Sequence, residues 1–309
     1  MKASIKLVGV AMTDNDYIAE FEKHLKAASK SPSTIESYCR DSKDFLQFIE
    51  NLGLVIGEVE PETLVAYSNY LNDRDRENSV RRKIIAIRQF FRFLSEFQQT
   101  YESPLDFVPI PERDESLPDG LLNEDIDEII AVIDSKPSGI KAFRDKAIFF
   151  LLAFEGIKAN ELIKLKWSNI YTSHHTSTLQ LQGSKPRTIE LSKQSSVAIQ
   201  KYQIVFDEKL KSFIPEKDLL FVSFKGRDFA TVLPQLSRHG LKFLLYEIGE
   251  SVGIKHLNTE LLRHYAIQYQ LNLGKTPSEI MAHFGLKRMG NIAKHVHSIK
   301  NLNRAEKIE

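Results

Sequence analysis

Apolar residues recur at helical spacing along most of this 309-residue chain. The sharpest case is the stretch 78–96, where Val80, Ile84, Ile87, Phe91 and Leu94 share one stripe with a 3.6-residue period, which predicts a helix facing a core. The rings of Phe90, Phe91 and Phe93 read as part of that core rather than as a base-stacking platform, which uses exposed rings on a sheet. Upstream, 14–29 and 33–51 are amphipathic. Ser31-Pro32-Ser33 opens the second of these with a capping hydroxyl followed by proline at the first helical position, and Glu60-Pro61-Glu62 opens a third helix in the same way. The pattern breaks over 104–118, where Pro104, Pro109, Pro111 and Pro118 flank the charged run Glu112-Arg113-Asp114-Glu115 and predict an extended linker. The expected plan is a tail at 1–12, a helical bundle at 13–103, the linker, and a second domain at 119–309.

In the second domain the pattern predicts helices near 123–135 and 140–156, then a short one from Ala159. Leu179–Gln182 and Thr188–Leu191 alternate around Gly183-Ser184-Lys185-Pro186, the signature of a short hairpin. A short strand at Leu219–Val222 and helices at 193–212, 232–252, 258–273, 277–285 and 290–302 complete the reading. The expected class is mainly α (α+β), with one small antiparallel sheet. A chain of this length is comfortable with two cores, and 42% apolar with 27% charged residues lets both be filled without a long disordered region.

Composition narrows the setting. The single cysteine excludes an internal disulfide and a cysteine-based metal cage. The apolar stretch Leu7–Met12 is too short for a signal peptide, and nothing approaches a membrane span. A cytoplasmic protein without cofactor or metal is expected. His283, His295 and His297 lack any paired metal-ligand spacing and read as helix-face residues.

Net charge is only +1, weak support for a polyanion partner, but its distribution is uneven. Residues 1–109 hold 14 Lys+Arg against 17 Asp+Glu, whereas 110–309 hold 28 against 24. From Lys255 onward the balance is nine against four, with five of the nine histidines. That is the best electrostatic footprint for phosphates in the chain. Arg81, Arg88 and Arg92 share a second stripe of the 78–96 helix, with Arg82 and Lys83 close by. A solvated helix face and a phosphate-binding strip are both consistent with it.

Three segments of the second domain, in order, resemble motifs of the tyrosine recombinases, the phage-integrase and Xer-like family. Gly156-Ile157-Lys158-Ala159-Asn160-Glu161-Leu162 resembles its G-[L/I]-R-x-x-E-L segment. Glu260-Leu261-Leu262-Arg263-His264 resembles its H-x-L-R-H box. Phe284-Gly285-Leu286 followed by Ile292–His297 resembles L-G-[H/W] and the tyrosine helix. Upstream, Ser31–Tyr38 and the run Ile87–Leu94 resemble the family's helical core-binding domain, so nearly the whole chain is covered. The resemblance implies a core-binding bundle, a mostly helical catalytic-type domain with a small sheet, and double-stranded DNA as partner, in a nucleoid-associated setting. A second copy of the chain or an active recombinase paralogue is the further partner it suggests.

In that family a tyrosine attacks a DNA phosphate while arginines, a lysine and imidazole or indole donors stabilise the phosphorane. The departures here fall on those positions. Lys158 stands at the first arginine and offers a point charge in place of a bidentate fork. Counting without gaps from Arg187-Thr188-Ile189-Glu190-Leu191, the hairpin lysine position is Gln182; Lys185 serves only if the hairpin is shifted. Glu260 replaces the first histidine, and Leu286 replaces the donor of L-G-[H/W]. His295 stands where the tyrosine belongs, and no tyrosine follows Tyr269. Arg263 and His264 match. The resemblance therefore implies a DNA-binding pseudo-recombinase that does not cleave, with contacts from Arg81, Arg88, Arg92, Lys158, Lys185, Arg187, Arg263, His264, Lys287 and Arg288. An active enzyme using His295 as an unorthodox nucleophile, and a helical scaffold without a DNA role, stand as alternatives. Arg263 also has a purely structural reading, paired to Glu260 or Glu161.

Overall fold

Local signals start most helices where the capping residues stand. In the computed structural model, which describes residues 12–97, 109–112, 120–136, 139–173, 176–183, 185–210, 219–225, 231–233, 235–286, 290 and 292, α1 (Asp14–Ala27) opens on a reciprocal capping box between Thr13 and Asp16. Ser31 caps α2 (Pro32–Asn51), accepting from the Thr34 amide, with proline at the first helical position. Proline opens α3 (Pro61–Asn72) in the same way, and α4 (Glu77–Phe97) completes the described helices of the first unit. The chain divides into two compact units, Met1–Ser116 and Leu117–Glu309.

The first unit is a helical bundle closed by aromatic rings. Phe21 meets Phe90 edge-on at 5.1 Å between centroids, and Phe45 meets Tyr67 at 4.9 Å. The predicted stripe of α4 is buried throughout, and Phe90, Phe91 and Phe93 lie in the core. The basic stripe is less open than the sequence suggests. Arg82 is paired with buried Asp41, Lys83 sits 2.8 Å from Asp75, and Arg81 donates to the Pro111 carbonyl at 3.0 Å. Arg81 and Arg88 are half-buried and Arg92 is exposed.

The second unit is built around α6 (Ile140–Ala153), whose last seven residues are all buried, so the helix is a core element on every side. α5 (Asn123–Ser135) precedes it and α7 (Ala159–Leu162) follows. Then comes a three-stranded antiparallel sheet in the order β1 (Ile170–Ser173), β2 (Thr176–Leu181), β3 (Arg187–Glu190). Leu179 pairs with Ile189 and Leu181 with Arg187, which leaves 182–186 as the turn. α8 (Lys193–Lys209) packs on α6, a two-stranded ribbon follows as β4 (Ser223–Lys225) and β5 (Thr231–Leu233), and α9 (Arg238–Ser251), α10 (Thr259–Asn272) and α11 (Pro277–Phe284) end the described elements.

The mainly helical class with a small antiparallel sheet is as expected. Three details are corrected. The helix expected at 232–252 begins at Arg238, because Thr231–Leu233 pairs with Ser223–Lys225. The strand expected at 219–222 is displaced to 223–225, Leu219 making only an isolated bridge with Lys166. The helix expected to reach 156 ends at Ala153, and the chain reverses at Gly156 with φ +58°. The expected linker falls largely outside the described residues, as does most of the helix expected at 290–302. Among the described residues no helix is long and apolar enough to cross a membrane.

Candidate nucleic-acid interface

The reversal at Gly156 delivers Lys158 to the cap position of α7, where its backbone N–H donates to the Glu161 carboxylate at 3.1 Å. Glu161 also takes a bidentate pair from Arg187 on β3, Nη1 at 2.7 Å and Nη2 at 3.1 Å. The Arg187 Nε donates to the His283 carbonyl at 2.7 Å, so one guanidinium ties β3, α7 and α11 together. Burial pushes the Glu161 carboxyl up, but the hydrogen bonds from Arg187 and the Lys158 amide outweigh it, leaving Glu161 below the ordinary carboxylate range.

Arg263, on α10, is 6% exposed. Its guanidinium donates to the Gly156 carbonyl and, at 2.6 Å, to the Phe284 carbonyl, and lies 5.2 Å from the centre of the Phe284 ring. Two of its N–H groups therefore hold backbone, and Glu161, one of the two carboxylates that the sequence offers it, belongs to Arg187 instead. Burial lowers the Lys158 ammonium, with repulsion from Arg263 and Arg187 adding to it and Glu161 and Glu260 opposing. Burial also lowers His264, opposed by Glu260 and reinforced by Arg263. Lys158, Arg187, Arg263 and His264 thus share one electrostatic neighbourhood with Glu161 and Glu260. With His264 kept neutral by burial, the cations are Lys158, Arg187 and Arg263 against two carboxylates. Arg187 is already paired with Glu161, so the net positive charge of the neighbourhood is small but suits an anion.

The turn of the hairpin reaches the same place. Lys185 donates to the Leu286 carbonyl at 2.8 Å, whereas Gln182 is exposed. Leu286 turns its side chain against the small cluster of Ala266, Ile267, Ile280, Phe284 and Ile292, so the position presents a carbonyl already accepting from Lys185 and no donor. Glu260 is exposed in the first turn of α10, where the Asn258 side chain accepts from its amide at 2.9 Å. Lys287, Arg288 and His295 lie outside the described residues.

One feature is missed by sequence reasoning and one is misread. Arg238 and Lys242, on the first turns of α9, line a cleft of about 470 Å³ together with Lys158, Asn258 and Glu260. Their four-residue spacing is visible in the sequence, but a helix expected from 232 hides the fact that Arg238 stands at its start. His283, expected as a helix-face residue, is the misread one. Its ring is buried beside Glu155, with Nε2 3.2 Å from the Glu155 carbonyl, and burial together with Lys275, Arg187 and Arg263 pushes it down to about 4.

That depression has a pH signature. The unfolded imidazole titrates near 6.5, so above that pH His283 is neutral in both states and contributes nothing; below it the unfolded chain binds the proton first. Stability should fall as pH drops through the window from 6.5 to about 4. The expected loss from pH 7.5 to 5 is about 2 kcal/mol, read from thermal melts. A His283→Gln protein should lose less over the same interval, and an equal loss would assign the acid sensitivity elsewhere.

Comparison with known proteins fits this geometry. The chain is 29% identical over 287 residues to the tyrosine recombinase XerD of Halalkalibacterium halodurans, covering 86% of this chain and 92% of that one. It is 25% identical over 276 residues to XerC of Roseiflexus sp. (strain RS-1), covering 87% and 86%. Among solved structures, the XerH site-specific recombinase on a palindromic difH substrate superposes with a TM-score of 0.75 at 16% identity, covering 96% of this chain and 85% of that one. A lambda integrase dimer on a COC′ core site gives 0.66 at 14%, covering 91% and 76%. At those identities the structures speak to fold alone. Residues 18–97 match the phage integrase N-terminal SAM-like domain. Residues 120–301 match the phage integrase family itself, and with more than half of its length so matched, the chain belongs to that family of tyrosine recombinases.

Proposed function

We propose that this protein binds duplex DNA as a member of the tyrosine-recombinase family and does not cleave it by the family's mechanism, acting as an accessory or regulatory partner. The observation that carries the second half is Leu286. Its side chain packs into an apolar cluster and its carbonyl takes the Lys185 ammonium, so no donor stands where the family places one. Lys158, Glu260 and His295 at the other family positions point the same way, because losing even one preorganised donor costs on the order of a hundredfold in rate. The first half draws support from the cationic neighbourhood around Lys158 and from the XerH and lambda integrase structures, both of which hold DNA. We assign direct backbone contacts to Arg81, Arg88, Arg92, Lys158, Lys185 and His264, with Lys287 and Arg288 as further candidates. Arg187 and Arg263 shape the anion site from behind, since most of their surface is covered by protein.

The test is to incubate the protein with a mixed pool of duplexes across a salt series, select the bound fragments, and run the same samples on a denaturing gel. Salt-sensitive binding without covalent adducts is expected. Neutralising Arg81, Arg88 and Arg92 should flatten the slope of log K against log salt by about 0.9 for each phosphate left without its cation. Adducts that disappear in a His295→Ala protein would replace this reading with an unorthodox nucleophile. Absence of binding at low salt would leave a scaffold.

A further inference from the structure

Two aromatic rings stand in water on α9. Phe243 is 54% exposed and Tyr246 56% exposed, although large rings usually give up their water to a core or a partner. Three residues apart, they share one face of the helix, and exposed His239 and Glu250 continue that face at either end. Leu241 and Leu245 are buried and line the cleft beside the candidate site. Tyr246 follows Leu245 by roughly a quarter-turn of helix, so the aromatic stripe is a separate surface. Charge divides it. Arg238, His239 and Lys242 lie in the N-terminal half of the exposed side, Glu247 and Glu250 in the C-terminal half. Glu247 has Lys141 at 4.0 Å, yet its side chain stays 43% exposed. A second α9 laid antiparallel sets each basic half against the other copy's acidic half and opposes the helix dipoles favourably, whereas a parallel one sets like against like. The spacing is also symmetric. Phe243 and Tyr246 lie equally far from the midpoint between 244 and 245, as do His239 and Glu250, so one two-fold axis there brings ring to ring and imidazole to carboxylate together.

We infer that the outer face of α9 is an interface between two copies of this chain, an antiparallel helix pair centred on Phe243 and Tyr246. Such a contact uses the same patch on both copies and closes on itself, so assembly through it stops at a dimer. One helix pair of this length covers less than the roughly 1,200–2,000 Å² of a stable complex. Association is therefore weak and reversible, with a dissociation constant on the order of 10 µM. It does not depend on the DNA-binding reading above.

Sedimentation velocity of the full-length protein, from about tenfold below to about tenfold above that constant, should show a monomer–dimer equilibrium. Phe243→Ser/Tyr246→Ser changes only exposed positions, should melt with the wild type, and should raise the dissociation constant by about tenfold or more. If it melts lower, the charge variants carry the test. Glu250→Lys should weaken the dimer severalfold, and His239→Glu/Glu250→Lys should restore it, because the exchanged pair meets itself again across the two-fold axis. Val197→Ser/Ile204→Ser removes another exposed apolar pair, on α8, and should leave the equilibrium unchanged. A monomer at every concentration, a dimer indifferent to the loss of both rings, an equal loss in the α8 variant, or an exchange that fails to restore association overturns the inference.

Discussion

Replacing Glu161 by alanine should destabilise the C-terminal unit by roughly 3–5 kcal/mol, the usual cost of stripping one partner from a buried ion pair. The side chains of Arg187 and Glu161 are 9% and 10% exposed, so the stranded guanidinium has little water to turn to. It would keep only its bonds to backbone carbonyls, chiefly that of His283, and the Lys158 amide would lose its acceptor as well. Three elements, α7, β3 and α11, are tied through this pair. A melting temperature lower by on the order of 10 °C is expected for a unit of this size. Removing both charges with Glu161→Leu/Arg187→Met should recover much of the loss, because the desolvation penalty disappears along with the attraction. If the single variant melts with the wild type, the pair is a surface contact in effect and the site is held by something else.

The second large effect is expected at Gly156. Its φ of +58° is a backbone setting that costs an L-residue about 1–2 kcal/mol, and a Cβ there would lie 2.3 Å from a ring carbon of Phe284 and 3.0 Å from the Cβ of Ala266. Phe284 is fully buried and cannot swing aside; overpacking of this kind adds about 1–3 kcal/mol. Gly156→Ala should therefore cost roughly 2–5 kcal/mol. It should also weaken DNA binding, because Arg263 is positioned by the Gly156 and Phe284 carbonyls on either side of that contact. A companion Phe284→Leu substitution should relieve the steric part and leave the backbone part, so the two changes together should cost less than their sum. Urea titrations of the single and double variants separate these contributions; strict additivity would show that the ring and the new methyl never meet.

Helices are legible in the sequence wherever a cap and a period agree. Ser31 and the prolines at 32 and 61 begin helices in the structure, and the alternation at 179–191 marks the hairpin. The short strands outside that hairpin are not legible. Ile170–Ser173 and Thr231–Leu233 are too short for a period of two to be told from a turn of helix, and their identity comes from the partner strand. The family boxes carry the site's addresses, but not the direction of each side chain. That Arg187 holds Glu161, that Lys185 reaches the Leu286 carbonyl, and that His283 lies against Glu155 depend on contacts between residues 26, 101 and 128 positions apart. No local pattern encodes such pairings.

The packing of Leu286 limits what can be engineered at this position. A histidine or tryptophan introduced there would first meet Ile280, Phe284 and their neighbours, with the adjacent carbonyl already engaged by Lys185. An imidazole or indole N–H held in such a place without a partner costs a few kcal/mol, so a donor engineered at this position should lower stability unless the packing around it changes too. Accommodating such a donor would require the hairpin lysine and the cluster beneath Leu286 to change together.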